Sequence, residues 1–525
     1  MMDMYELNDR FWATRQYKDR WLALYKDLYY YVIPDRDAFN VKWNYNDQGK
    51  PVTQMVWDNT AVLAAYQRSN DLHGLLLPKD RIWGKLVMDP HINSPQDIQA
   101  SAQLLEEMNE RIFFYLNESN LPRVVSSSNL DLVGGTGAIW VESISDDEPL
   151  YFRSIPAVAL YIEYSTDDVV NTCWYQCKMM GRMILKTFPD YNGNRKSALQ
   201  ELPDEMYIVV YGQIKISEHE FYMYAVMEDD PFTPLWEAQR AYNQIIIYRD
   251  RVRPGEADGR GVGIDLLPTI RDLNRIVAYD RQNLAFKANP PMFYDADSYF
   301  NPYSVRQWAG AMIARNSQGR NPLEALQMPI YPEVLPKVQH LQETIQRAFQ
   351  VDPLGELQTP VRSATEISVR EARAQRTSAT DISRLINELP KQVYEVAAKI
   401  LSERRLLTKN RGAFINAAKS KKLRFDYKSP LYDLQKQEDL NHFITNMQIK
   451  AQFYGPGAAV ATTKLGIVNE FLTEKLNLPH NMFANEQELD QYIKSMTQAA
   501  QQGALPPPVG AAAPVSFPQN PGTTI

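Results

Sequence analysis

The chain has 525 residues, 44% hydrophobic and 23% charged, with a formal net charge of −7. That length suits roughly three or four domains with ordinary globular cores. The acidic balance excludes a protein that coats nucleic acid through bulk positive charge, so any DNA contact must be local or weak.

The opening stretch MMDMYELNDRFW carries charge from the start and does not read as a signal peptide. No apolar run approaches the roughly 18 residues of a membrane span. Residues 5–33 fit one helix, with Leu7, Phe11, Trp21, Leu24, Leu28 and Val32 near one face and Pro34 as the stop. WDNTAVLAAYQRSNDLHGLLLP predicts a second helix, capped by Asp58 and ended by Pro78. In the third, Ser94 caps, Pro95 takes the first helical position and Asp97 completes an acidic capping box. Its apolar stripe is Ile98, Leu105, Met108, Ile112 and Leu116. A fourth helix runs to about Val133 and ends in GGTG, and AIWVES then reads as a strand.

From about 138 to 250 the pattern changes to short runs rich in Tyr, Val and Ile. ALYIEYS, NTCWYQCKM, EMYIVVYGQIKI, EFYMYAVM and QIIIYRDRV read as antiparallel strands, with ISDDEP and DYNGNRK as turns or loops. The 30 tyrosines suit cores and broad protein interfaces alike. Cys173 and Cys177 on a strand would share a face about 13 Å apart, too far for a disulfide, so both are expected as free thiols.

GEADGRGVG at 255–263 is expected to be a flexible joint. After it, 264–287 reads as a helix with a seam at Leu266, Ile270, Leu273, Val277 and Leu284; Asp280 interrupts the seam and Pro268 falls in the first turn. Residues 288–331 are expected to be irregular. A second seam at Val334, Val338, Leu341, Ile345 and Ala348 marks a helix over 333–350. The stretch 351–361, VDPLGELQTPV, is broken by Pro and Gly. At RSATEISVREARAQR a long polar helix begins, with Ser363 and Glu366 forming a capping box. Arg362–Glu366 and Glu366–Arg370 place opposite charges four residues apart on one face of the predicted helix. Toward 407 this helix turns apolar, at Ile382, Leu385, Leu389, Val393, Val396 and Ile400, and Pro390 is expected to kink it. From 364 it would be a rod of roughly 65 Å. A strand follows near KKLRFDY, then helices at about 436–453, 459–476 and from Asn485. The Pro/Ala-rich tail 503–525 has no periodicity.

Motifs for catalysis are missing. There is no G-x-x-x-x-G-K-[ST] and no G-x-S-x-G, and the six histidines are scattered without metal-ligand spacing. His340 reads as a polar face residue. GGTG precedes a strand, so a turn is favoured over a phosphate cradle. Acid pairs such as Asp146–Asp147 and Asp229–Asp230 fall in loops, where solvation is the default. Arg370, Arg373 and Arg376 are spaced at i, i+3, i+6. With Glu366 and Glu371 interleaved, ion pairs within or between subunits are favoured over phosphate contacts.

Several strings, in order along nearly the whole chain, resemble the portal (head-to-tail connector) proteins of short-tailed, podovirus-like bacteriophages. They are WDNTAVLAAYQRSNDLHGLLLPKDRIWGKLVM (57–88), NLPRVVSSSNLDLVGGTGAIWVE (120–142), RPGEADGRGVGIDLLPTIRDLNRIVAYDRQNLAFKANPP (253–291), RSATEISVREAR (362–373), YKSPLYDLQKQEDL (427–440) and KLGIVNEF (464–471). The resemblance implies an α+β, mostly α, portal fold with wing, stem, clip and crown, in a ring-forming subunit. The wing would be 1–263, the stem 264–287 with 333–350, the clip 288–332, the tunnel loop 351–361, the long kinked helix 362–422 and the crown 423–502. The tunnel loop would offer Asp352, Pro353, Gly355, Glu356, Gln358 and Pro360 to DNA. Ion pairs between subunits would use Arg362, Glu366, Arg370, Glu371, Arg373 and Arg376.

The resemblance further implies a ring, of twelve subunits, at one capsid vertex, conducting double-stranded DNA during packaging and ejection. Its partners would be the terminase large subunit, tail adaptor or tube proteins at the clip, and major capsid and scaffolding proteins at the wing. It would lie in the virion, and in the host cytoplasm during assembly, with no cofactor, metal, membrane contact or enzymatic activity. Two other classes stay open: a metal-dependent enzyme acting on nucleic acid, and a non-viral helical scaffold or adaptor.

Overall fold

A computed structural model describes residues 3–36, 56–79, 82–88, 95–145, 148–165, 169–217, 220–288, 292–294, 323–325, 333–349, 384–407, 423–427 and 443–450, with 452. The chain divides into two units, Met1–Ser429 and Pro430–Ile525. In the second, a helix over 443–450 is described, inside the predicted 436–453.

In the first unit the fold is mixed helix and strand. Helix α1 (Met4–Tyr31) starts where the Asp3 carboxylate accepts the Tyr5 N–H. Helices α2 (Thr60–Leu76), α3 (Pro95–Glu118) and α4 (Leu121–Leu132) follow, with strand β1 (Gly84–Met88) between α2 and α3. On α3, Leu105, Met108, Ile112 and Leu116 of the predicted stripe are buried, while the side chain of Ile98 lies outside the described residues.

Two antiparallel sheets come next. Strands β2 (Thr136–Glu142), β3 (Tyr151–Ile155) and β9 (Ile245–Arg249) form one in the order β3-β2-β9. The other has five strands in sequence order: β4 (Leu160–Ile162), β5 (Thr172–Met180), β6 (Met206–Ser217), β7 (Glu220–Met227) and β8 (Trp236–Arg240). The three-stranded sheet is a middle layer, and alternation along β2 shows why. Ile139 and Val141 join Phe152, Ile246 and Tyr248 in the core shared with α2–α4. Ala138 and Trp140, pointing the opposite way, join Leu160, Ile162, Cys173 and Met223 of the five-stranded sheet. That sheet in turn covers Leu7 and Phe11 of α1 with Tyr161, Trp174, Tyr222 and Tyr224. Trp174 is fully buried and donates its indole N–H to the Tyr224 hydroxyl at 2.7 Å, so no polar group is stranded by the burial. Cys173 and Cys177 are not joined in a disulfide, as their spacing requires, and burial pushes the Cys173 thiol well up.

The long helix α7 (Val262–Ala288) and helix α8 (Val334–Phe349) pack side by side; two short helices, α5 (Gly181–Thr187) and α6 (Lys196–Glu201), precede them in the β region. Ile270, Leu273, Ile345 and Phe349 are buried at the contact, while Val277, Val338 and Leu341 are partly covered. Helix α9 (Pro390–Glu403) completes the helical core with Val393, Tyr394, Val396, Ala397, Ile400 and Leu401.

Several expectations change. Helix α7 starts at Val262, so Pro268 lies inside it rather than in its first turn, and Ile264 loses its helical donor there. The seam does not run its full predicted length, because Leu284 is 67% exposed. The stretch 288–331 is not wholly irregular: β10 (Met292–Tyr294) pairs antiparallel with β11 (Leu323–Ala325). Strand β12 (Leu423–Tyr427) pairs antiparallel with β1, and its Phe425 packs on Tyr394 of α9. It therefore belongs to the first unit, Met1–Ser429. Pro390 does interrupt the helical run: residues 384–388 are helical, Leu389 is a turn, and α9 begins at Pro390. Asp230 is not a solvated loop acid but a buried one, accepting from Tyr191 at 2.8 Å and Thr233 at 3.0 Å.

Candidate functional site

The two glycine clusters meet, and they fix the root of α7. Gly134 and Gly135 end the α4 turn; Gly259, Gly261 and Gly263 lead into α7. Backbone bonds join the two runs: Asp250 N–H to Gly135 C=O at 2.9 Å, Gly261 N–H to Gly134 C=O at 3.2 Å, and Gly263 N–H to Val133 C=O at 2.9 Å. The Thr136 hydroxyl accepts the Gly259 N–H at 2.9 Å. At Gly135 φ is +115°, a conformation glycine adopts freely. A Cβ on Gly135, Gly259 or Gly261 would meet backbone atoms of the facing run well inside 3.0 Å. So 255–263 is not the flexible joint its composition suggests. These glycines permit backbone-to-backbone contact, and the hydrogen bonds hold the segment to the end of α4 and the start of β2.

Helix α1 splints this clasp. Lys18 Nζ and Asp258 Oδ1 form a buried ion pair at 2.5 Å, with the ammonium 4.7 Å from the Tyr25 ring centre. The Arg260 guanidinium lies 4.9 Å from the Trp21 ring centre and donates twice to Glu256 at 2.7 Å. That hydrogen-bonded guanidinium holds the Glu256 carboxyl below its ordinary range. Asp27 pairs with Arg271 on α7 itself. A second buried pair, Arg36–Asp131, gathers the Tyr29 hydroxyl and Ser154 at the end of α4. Removing one member of such a pair leaves a charge stranded in low dielectric.

The helix pair is tied to the chain around Asp58. Asn274, buried on α7, accepts the Trp57 and Asp58 N–H groups at 3.0 and 3.2 Å. Gln342 of α8 donates to Asp58 Oδ2 at 2.8 Å. Beyond Asn274 the cover thins. Tyr279, Leu284 and Phe286 on α7 and Leu335 on α8 are exposed apolar side chains, 58, 67, 45 and 66% accessible. His340 is exposed, as a polar face residue should be. The site therefore combines an immobilised root with a half-bare helical pair.

A second anchor fastens α9. Glu388, just before it, accepts the Arg249 N–H at 2.7 Å and pairs with its guanidinium at 3.3 Å. The Tyr394 hydroxyl donates to Asn109 Oδ1 at 2.8 Å, and Lys399 donates to the Ala241 carbonyl at 3.0 Å. The helix ends in a Schellman turn, with Leu406 N–H bonded to Leu401 C=O at 2.9 Å and Arg405 in the left-handed region at φ 60°.

The predicted loop residues Asp352, Pro353, Gly355, Glu356, Gln358 and Pro360 lie outside the described residues. So do Arg362, Glu366, Arg370, Glu371, Arg373 and Arg376. Among the described residues no group of three or more His, Cys, Asp or Glu is placed to hold a metal, and no helix is long and apolar enough to cross a membrane. The buried pairs Lys18–Asp258 and Arg36–Asp131 have no local signature in the sequence, because their partners are 240 and 95 residues apart. The two glycine runs are visible there; their contact with each other is not.

Residues 5–483 match the family described as bacteriophage head to tail connecting protein. Among solved structures, a chain from the virion of a native gene transfer agent particle is similar at 11% identity, with a TM-score of 0.36. That match covers 81% of this chain and 91% of the other. A chain from the neck of an empty gene transfer agent particle is similar at 10% identity, with a TM-score of 0.35, covering 83% and 95% respectively. No curated protein sequence matches the chain.

Proposed function

Since the chain belongs to the bacteriophage head to tail connecting protein family, we propose that it is the portal subunit of a short-tailed phage particle. Copies close into a ring, of twelve subunits, at one capsid vertex of the virion. Double-stranded DNA passes through it during packaging and ejection. The packaging motor, through the terminase large subunit, and the tail adaptor dock at the clip, 288–332. Capsid and scaffolding proteins meet the wing, and 423–502 forms the crown.

The observation that carries this reading is the helix pair α7–α8. Its proximal half is buried in the subunit and its root is fixed by the clasp, yet its distal half bears Tyr279, Leu284, Phe286 and Leu335 uncovered. A neighbouring copy would cover that surface. In a ring each subunit meets its two neighbours through different faces, an interface that closes by rotation. Residues 275–288 carry three basic side chains, Arg275, Arg281 and Lys287, against Asp280. That is a modest charge, suited to letting phosphate slide rather than stick. The tunnel loop 351–361, with Asp352 and Glu356, would narrow the lumen and repel phosphate, acting as a soft gate. Polar pairs from Arg362 to Arg376 would join neighbouring copies without a large apolar face on the free subunit. Force would come from the docked motor, which makes this chain a structural part and not an enzyme.

Negative-stain images of the purified protein test the ring; compact particles with no central hole at assembly concentrations would sink it. Reversing charge at Arg370 and Arg373 should impair ring formation. Deleting 353–359 should leave rings intact and reduce retention of packaged DNA. Unchanged retention would remove the gate.

A further inference from the structure

Three strand edges carry a side chain where a neighbouring strand would be. On β1, the Leu86 N–H and C=O point away from β12, and both go to one buried amide. Asn109 Oδ1 accepts the N–H at 2.9 Å, and Asn109 Nδ2 donates to the C=O at 3.1 Å. On β3, an edge of the three-stranded sheet, Asn120 does the same for Phe152, at 2.9 Å in both directions. On β9, the opposite edge, Gln213 Oε1 accepts the Gln244 and Ile245 N–H groups at 2.9 Å, and its Nε2 lies 3.4 Å from the Ile245 carbonyl. Two residues beyond comes Ile247, only 3% exposed, and then Arg249, whose N–H goes to Glu388.

A primary carboxamide presents an acceptor and a donor on one side, so it can meet the N–H and C=O of one edge residue as a residue of a missing strand would. An open edge is a template for pairing with another chain. We infer that Asn109, Asn120 and Gln213 serve as one-residue substitute strands that keep copies of the free subunit from pairing edge to edge. The device suits a chain that must first accumulate in solution. Gln213 has a second consequence. It comes from β6, so closing the β9 edge also bolts the five-stranded sheet to the three-stranded one. Its Nε2 bonds Asn243 at 2.6 Å, and Asn243 bonds Gln392 of α9 at 2.9 Å, extending the amide chain to the helix.

The test uses the full chain with Asn120→Ala and Asn120→Asp. Alanine offers neither group; aspartate keeps the acceptor for the Phe152 N–H. Residue-resolved hydrogen exchange should show Phe152 exchanging roughly tenfold faster or more in N120A, and near the wild-type rate in N120D. Light scattering should rise with concentration for N120A and not for N120D. Unchanged Phe152 protection in N120A, a loss spread evenly over β2, β3 and β9, or unchanged scattering overturns the inference. Should N120A fail to fold, N120D decides: a protected Phe152 amide upholds the acceptor role and an unprotected one overturns it.

Discussion

Gly261→Ala puts the clasp to a quantitative test. The new Cβ would lie well inside 3.0 Å of the Val133 carbonyl and the Gly135 nitrogen. Both are backbone, so no side chain can swing aside and the two runs must part. Overpacking of this kind costs about 1–3 kcal/mol. Parting the runs also weakens the Gly261–Gly134 and Gly263–Val133 hydrogen bonds, each worth about 0.5–1.5 kcal/mol. The expected loss is about 2–6 kcal/mol, a large share of a typical stability of about 5–15 kcal/mol. Two controls separate crowding from conformation. Gly255 has φ +84° and nothing within 4 Å of the place a methyl group would take, so Gly255→Ala should cost only about 1–2 kcal/mol, for the backbone angle alone. Gly74, inside α2 with nothing within 4 Å, should gain about 0.5–1 kcal/mol on Gly74→Ala. Urea denaturation of the subunit, followed by circular dichroism, measures all three. If Gly261→Ala costs no more than Gly255→Ala, the segment is a loose joint after all and the close-contact argument fails.

Three further tests probe the caps and ion pairs. Arg405→Gly should stabilise by about 1 kcal/mol, because glycine takes the left-handed C′ position without penalty; a drop in the urea midpoint would contradict this. Lys18→Met alone should cost about 3–5 kcal/mol by stranding Asp258, while Lys18→Met with Asp258→Leu should recover most of it. Equal losses in the single and double variants would show that a stranded charge is not the source of the cost. Glu256 has a folded-state pKa below its unfolded one, so its contribution is present above the unfolded value of about 4.3 and is lost as pH falls through the folded value. Glu256→Gln should therefore be less stable than wild type at pH 7 and converge with it in acid; a gap that widens on acidification reverses the assigned sign.

Periodicity locates the long elements well, since a helix of four or more turns repeats its apolar positions often enough to rise above chance. Leu7, Phe11, Trp21 and Leu28 on α1 and Leu105, Met108, Ile112 and Leu116 on α3 are buried where spacing puts them. Strands β1, β3 and β8, five residues each, are not read from the sequence, although the equally short β9 and β12 are, the run of three isoleucines marking β9 and the alternation of Leu423, Phe425 and Tyr427 marking β12. Leu284 misleads for a different reason: heptad spacing reports which face a residue occupies, not whether a partner reaches that far along it. The clasp and the ion pairs depend on contacts across more than 90 residues, and neither composition nor local pattern carries that information.

The pairing of β1 with β12 imposes an order on biosynthesis. Gly84 lies opposite Tyr427, and the Tyr427 hydroxyl reaches the Leu76 carbonyl 351 residues away. At about 5–20 residues per second a ribosome needs on the order of 20–70 s to make the intervening chain. Until then Trp83, Leu86 and their neighbours lack their covering strand, and the nascent polypeptide has a sticky N-terminal half. Chaperone occupancy on stalled chains should accordingly persist until the codons for 423–427 have been translated and their product has cleared the exit tunnel.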